Sequence, residues 1–227
     1  MHNCPFCNID TSKIYNTIFE ETKNFVVMTT KGSLTDGYII IVSKKHFYNI
    51  LELAENIKQE YFSLINKYRI IFKNIYKKYP IIFEHGASNN SNSASSIIHA
   101  HSHIVNHNFK DENNFLKELN FKDYKNDTIG KKSYLFYISP LNKSYISYDF
   151  KPVSQLIRIY IARDLEIEDK YNWKSDELTS NIKKTINNIK NYWLFFSSFF
   201  FSFSFFSFLF WFFFKFFYFK YFFFFWR

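Results

Sequence analysis

Hydrophobic and polar positions follow two different periods along residues 1–190. Phe25-Val26-Val27-Met28 is a short apolar run that predicts a strand. Tyr38-Ile39-Ile40-Ile41-Val42 predicts a buried strand after the turn residues Asp36-Gly37. Between Ile50 and Tyr79 the period changes, with Ile50, Leu53, Ile57, Tyr61, Leu64, Tyr68, Ile71, Ile75 and Tyr79 recurring at gaps of three or four. That spacing lays them along one face of a long amphipathic helix, which Pro80 ends. Ile81-Ile82-Phe83 predicts another strand, and the polar Ser/Asn stretch from Ser88 to Ser96 a loop. Strands are expected again from Ile97 to Val105 and from Tyr134 to Ile138, and helices from Val153 to Leu165 and from Asp176 to Ile189. This order lacks regular βαβ alternation, so the expected class is α+β rather than a doubly wound sheet.

Residues 191–227 break the pattern. Of 32 Phe, 20 lie after residue 190, whereas every Ile lies before it. Tyr192 to Phe214 carries no charge and is long enough to span a bilayer, with Lys190 before it and Lys215 after. Two readings compete: a C-terminal membrane anchor, or a T-rich stretch of DNA read out of frame or past a lost stop. Natural spanning helices are rich in Leu, Ile, Val and Ala, and a Phe/Ser low-complexity run favours the second reading. If translated, so many aromatics drive the segment towards aggregation or a membrane.

Composition then narrows the class. The chain has 227 residues, 47% of them hydrophobic, which suits one domain with an appendage and excludes disorder over most of the length. Cys4 and Cys7 are the only cysteines, so a disulfide framework is excluded. No hydrophobic leader follows Met1, and a reducing cytoplasm is the expected compartment. The net charge is +9, but the lysines are scattered with no basic stripe interleaved with aromatics, so nucleic acid is not an expected partner.

The chemistry concentrates in His99-Ala100-His101-Ser102-His103-Ile104-Val105. In a strand, residues 99, 101 and 103 project from one face as a row of three imidazoles. On a helix, at ~100° per residue, they would fan apart and could not act together. The flanking Ile97-Ile98 and Ile104-Val105 favour the strand. A metal site built from the row is a competing reading, because neutral imidazole is a common metal ligand.

His-x-His-x-His followed by two apolar residues resembles the signature of the histidine triad (HIT) family. The Gly86 turn, the Ser-rich loop leading into the triad and the opening Cys4-Pro5-Phe6-Cys7-Asn8-Ile9 match the same context, as do Lys44-Lys45-His46 and Phe83-Glu84-His85-Gly86. Pro152-Val153-Ser154-Gln155, Ile161-Ala162-Arg163 and Trp173-Lys174 resemble the C-terminal extension of a bacterial subgroup. The resemblance implies a catalytic core over 1–110, an extension over 111–190 packed on it, and the tail over 191–227. It implies an antiparallel sheet with a long helix and C-terminal helices. It also implies cleavage of a nucleotide at its α-phosphorus through a covalent nucleotidyl-histidine. His101 would be the nucleophile, with His99 and His103 as its support, His103 contacting a nonbridging oxygen and Ser96 the leaving group. His85 and Glu84 are candidate substrate contacts, Glu84 standing where several relatives carry Asn. A homodimer is the family expectation. Arg158 and Arg163 are expected on a solvated helix face.

Cys4-x-x-Cys7 forms a metal knuckle that needs two more ligands for a structural zinc. In the zinc-bearing members this chain resembles, the positions of His46 and His99 supply them. A redox pair is disfavoured because no thioredoxin-like strand precedes the cysteines. A non-catalytic nucleotide- or zinc-binding module, a protein anchored by its tail and a metallohydrolase using the three histidines stay open.

Overall fold

β-Branched and aromatic runs make the strands, as their packing on a pleated surface favours. The computed structural model describes residues 4–88, 97–125 and 132–195. Its strands are β1 (Ile18–Glu21), β2 (Phe25–Thr29), β3 (Tyr38–Ser43), β4 (Ile81–Gly86), β5 (His101–Val105), β6 (Lys122–Asp123), β7 (Tyr134–Ile138) and β8 (Ser144–Ser147). They form one eight-stranded sheet in the order β1-β2-β3-β5-β4-β7-β8-β6, antiparallel at every pairing. Helices α1 (Glu55–Tyr76), α2 (Glu112–Glu118) and α3 (Leu156–Asp164) accompany it, and a fourth helix begins at residue 179. The architecture is therefore α+β, as the order of elements predicts.

The long helix is shorter than its apolar stripe. Residues 50–53 form a turn held by Leu53 N–H donating to Ile50 O at 3.2 Å, and Asn49 Oδ1 accepts from Glu52 N–H at 3.0 Å. At the other end Lys77 takes a left-handed conformation (φ 61°) and stops the helix before Pro80. Tyr61, Leu64, Ile65, Tyr68, Ile71 and Phe72 are its buried face.

The triad strand also begins later than predicted. Residues 97–100 lie outside the ladder and β5 starts at His101. Ala100 N–H donates to Phe47 O at 2.7 Å and His99 N–H to Ile97 O at 3.1 Å, contacts that turn this segment away from strand pairing.

Strand alternation divides the sheet into two faces. Phe25, Ile41, Ser102 and Glu84 point to one, where Tyr61 of α1 meets the Phe25 ring and the Ser102 hydroxyl. On the other face two apolar clusters form. One joins Val26, Met28, Ile40 and Val42 to Phe6, Ile9 and Ile18 of the N-terminal arm and β1. The second joins Tyr38, Ile81, Leu135 and Tyr137 to Phe115 of α2 and Leu156 and Ile161 of α3.

The chain divides into two units, Met1–Asn187 and Asn188–Arg227. All strands and all candidate functional residues with described positions belong to the first. Of the second, residues 188–195 are described, and they are helical. Among the described residues no helix is long and apolar enough to cross a membrane. Ser96 and most of the charge-free run lie outside the described residues.

Candidate functional site

The period-two geometry of β5 sends His101 and His103 to the same face, opposite Val42 and Ile40 of β3. Their ring centroids are 5.0 Å apart. His103 also lies across from Phe83 of β4 and stacks on it at 4.5 Å with the rings 14° from parallel. These two histidines sit between the two apolar clusters and line a pocket of about 290 Å³ shared with Phe6, Lys31, His85 and Trp173.

Hydrogen bonds fix how the nucleophile candidate presents itself. His101 Nδ1 lies 2.6 Å from His99 O. A carbonyl only accepts, so Nδ1 carries the proton and Nε2 keeps its lone pair. Burial holds the His101 pKa down at about 4, against the raising effect of that carbonyl, and the nearby His99 adds to the lowering. The ring is thus neutral near pH 7 and nucleophilic. His103 is held well below the ordinary histidine range by burial, by His101 and by Arg158. His85 is lowered to about 4, first by burial and then by His101. Among the described residues, its buried Nε2 has no hydrogen-bond partner.

His99 departs from the predicted row. It precedes the strand, and its ring turns towards the N-terminal arm rather than standing beside His101 and His103. Its Nε2 donates to Ser43 O at 2.7 Å, leaving the Nδ1 lone pair 3.3 Å from Cys4 Sγ and 3.6 Å from Cys7 Sγ. His46 Nδ1 is 3.2 Å from Cys7 Sγ. The four ligand atoms of Cys4, Cys7, His46 and His99 all lie within 4.8 Å of one another. Those spacings approximate the edges of a tetrahedron, roughly 3.5 Å, that metal bonds of about 2.0–2.3 Å would make. The Ser43 carbonyl orients His99 as a partner behind a metal ligand does. The donor set therefore fits a metal ion. Without one, burial and the Cys4 thiol raise the Cys7 pKa, an effect a cation would reverse.

Glu84, expected beside substrate, lies on the opposite face of β4 from His85. It is 1% exposed, with Oε1 accepting from Ile50 N–H at 2.9 Å and Oε2 paired with the Tyr134 hydroxyl at 2.6 Å. Arg158 is not on a solvated face either: it is 4% exposed and donates to Tyr38 Oη, Gly32 O and Tyr171 O at 3.0, 2.7 and 3.0 Å. Arg163 is exposed, as expected. Tyr38 and Arg158 are site neighbours that the sequence pattern did not single out. The signal for Arg158 was its setting among Leu156, Ile157, Ile159, Ile161 and Ala162, which leaves α3 no wide polar face.

An antiparallel α+β sheet presenting the last two histidines of a His-x-His-x-His segment to a pocket defines the histidine triad class. A family model described as protein similar to CwfJ C-terminal matches residues 1–115, half of the chain. Protein hit of Bacillus subtilis is 23% identical over 103 residues, covering 45% of this chain and 70% of the relative. An uncharacterized HIT-like protein of Saccharolobus solfataricus is 28% identical over 103 residues, covering 45% and 72%. The crystal structure of a hypothetical histidine triad nucleotide-binding protein from Sulfolobus tokodaii is 17% identical, covering 83% of this chain and 93% of its own, with a TM-score of 0.40. The chain belongs to the family similar to the CwfJ C-terminal region and is a histidine triad protein.

Proposed function

We propose that the chain is a nucleotidyl hydrolase or transferase that cleaves an ester, anhydride or phosphoramidate at the α-phosphate of a nucleotide. The observation that carries this reading is the 2.6 Å contact from His101 Nδ1 to His99 O, which leaves a neutral Nε2 lone pair beside a pocket. Nε2 attacks the α-phosphorus in line, a P–N bond forms, and the bond to the leaving group breaks. Water or another acceptor then displaces the nucleotide and restores the imidazole. His103 hydrogen-bonds a nonbridging oxygen as charge gathers there. His85 faces the same pocket as a further substrate contact, and Ser96 aids the leaving group. His99 supports His101 through its carbonyl rather than its ring.

The test is incubation of the full chain with diadenosine tetraphosphate and with an adenosine phosphoramidate, alongside His101→Ala. Released nucleotide and a protein adduct of one AMP unit, both lost in the variant, are the expected result. Folded protein with neither turnover nor adduct on both probes would move the reading to a binding module.

Zinc is the metal this Cys₂His₂ set suits, and protein groups fill all four positions, so its role is structural. It would tie the N-terminal arm, and with it Phe6 against His101 at 4.9 Å, to the segment before β5. Purified chain should carry about one zinc, and chelation should lower Tm by about 10 °C. An unchanged melting curve after chelation, or no bound metal, would remove the zinc.

A further inference from the structure

The family model matches residues 1–115, yet a buried chain of hydrogen bonds runs from α3, beyond that match, to the triad. Arg158 Nη1 donates to Tyr38 Oη at 3.0 Å, and Tyr38 Oη lies 3.1 Å from His103 Nδ1. Tyr38 is fully buried, its ring edge-on to the His103 ring at 5.6 Å and under the Arg158 guanidinium at 5.5 Å. Arg158 is itself pinned by Gly32 O and Tyr171 O.

From this geometry we infer that Arg158 and Tyr38 are positioning residues that fix His103 as the tautomer with its proton on Nε2. A guanidinium can only donate, so it occupies an acceptor site of the phenol oxygen. The phenol proton then has one acceptor in reach among the described residues, the Nδ1 lone pair of His103. In the reverse arrangement Nδ1–H donates to Tyr38, and the phenol proton of a fully buried residue has no acceptor. Stacking on Phe83 removes the remaining freedom of the ring. His103 therefore enters the pocket as a hydrogen-bond donor. That is the form a phosphoryl oxygen requires, and the opposite of His101, which His99 O sets as a lone-pair donor. One carbonyl and one Arg–Tyr pair thus give two adjacent imidazoles opposite roles. The consequence for catalysis rests on the nucleotidyl-transfer reading; the tautomer itself does not.

The experiment is ¹⁵N NMR of the histidine-labelled full chain, with His103→Gln used to assign the signal. The wild type should show an unprotonated Nδ1 and a protonated Nε2 on His103. Tyr38→Phe, which keeps the buried ring, should give a mixed tautomer, as should Arg158→Met. Arg158→Lys, which keeps a donor to Tyr38, should restore much of the wild-type signal. On a substrate the chain turns over, Tyr38→Phe should lower kcat roughly tenfold with KM changed by less than about twofold. A His103 ring protonated at Nδ1 in the wild type would overturn the inference whether or not the variants fold, as would an unchanged signal in folded Tyr38→Phe. A tautomer that shifts as expected in a protein with no turnover would sink only the nucleotidyl-transfer reading.

Discussion

Glu84 and Ser102 are sequence neighbours of His85, His101 and His103, but strand alternation places the two groups on opposite faces of the sheet. On the first face Glu84 and Ser102 both meet partners. Glu84 meets Ile50 N–H and the Tyr134 hydroxyl, and Ser102 Oγ accepts from Tyr61 Oη at 2.8 Å. On the second face each histidine has one nitrogen held by a neighbour at most, and the pocket receives the rest. The covering elements make the difference. The Tyr61 region of α1 closes over Glu84 and Ser102. The other face is covered at its two ends, by the N-terminal arm and by α2 with α3, so His101 and His103 stand in the gap between. A buried polar group with all its partners holds the fold, whereas one with an open atom at a pocket can do chemistry.

The sharpest way to break that comparison is at His101. Replacing it with alanine should lower turnover by at least about a thousandfold, because a covalent nucleophile has no substitute in the site. Tm should move by no more than about 3 °C, since the ring is partly exposed in the pocket. Retained turnover in a folded variant, measured with the same two probes, would show that the open face is not the chemical one.

Glu84 tests the closed face through pH. Burial raises its pKa from 4.5 to about 8, outweighing the hydrogen bonds from Tyr134 and Ile50 that lower it. Between pH 4.5 and 8 the folded protein therefore holds a proton that the unfolded chain has lost, so ionisation works against folding. This contribution falls as pH rises through that window, by up to about 4 kcal/mol between pH 5 and 8. The neutral acid has a place for its proton. It can donate to Tyr134 Oη, whose own proton then turns to Asn49 Oδ1 at 3.3 Å. His85, His101 and His107, each lowered to about 4, push the other way between pH 4 and 6.5, where the unfolded chain binds their protons. The readout is thus the stability of Glu84→Gln minus that of wild type, which should climb with pH and level off above 8. A flat difference in denaturant unfolding would mean that Glu84 is ionised in the fold.

Each face was legible in part from the sequence. A three-imidazole motif is visible in any register, and the nine-position stripe gave α1 despite its shorter ends. Glu84 read as a site residue because it stands where several relatives carry Asn; the face it takes depends on the pairing of β4 with β5 and β7, which the resemblance does not encode. His99 left the expected row through its ring's bond to Ser43 O and the neighbouring Ala100 N–H bond to Phe47 O, both more than 50 residues away in sequence. β1, β6 and β8 are four residues or shorter and partly exposed, too short for a clear alternation. Arg158 shows the same limit: its charge suggested solvent, and only the fold supplies Tyr38, Gly32 and Tyr171 to receive its protons.

The smallest effect, and the most discriminating, belongs to Ser102, which lies between His101 and His103 in sequence and faces away from both. Ser102→Ala removes the acceptor of the Tyr61 hydroxyl inside a fully buried pair. The phenol is left without that partner, which costs about 1–3 kcal/mol of stability. The backbone of β5 is unchanged, because its ladder to β3 and β4 uses main-chain groups alone. His101 and His103 should therefore keep their positions, and turnover should stay within about twofold of wild type. Pairing this variant with His101→Ala gives adjacent residues of one strand opposite signatures, stability lost in one and activity in the other. If Ser102→Ala instead lost activity without losing stability, the two faces of β5 would not act independently. The division of labour would then lie along the strand rather than across it.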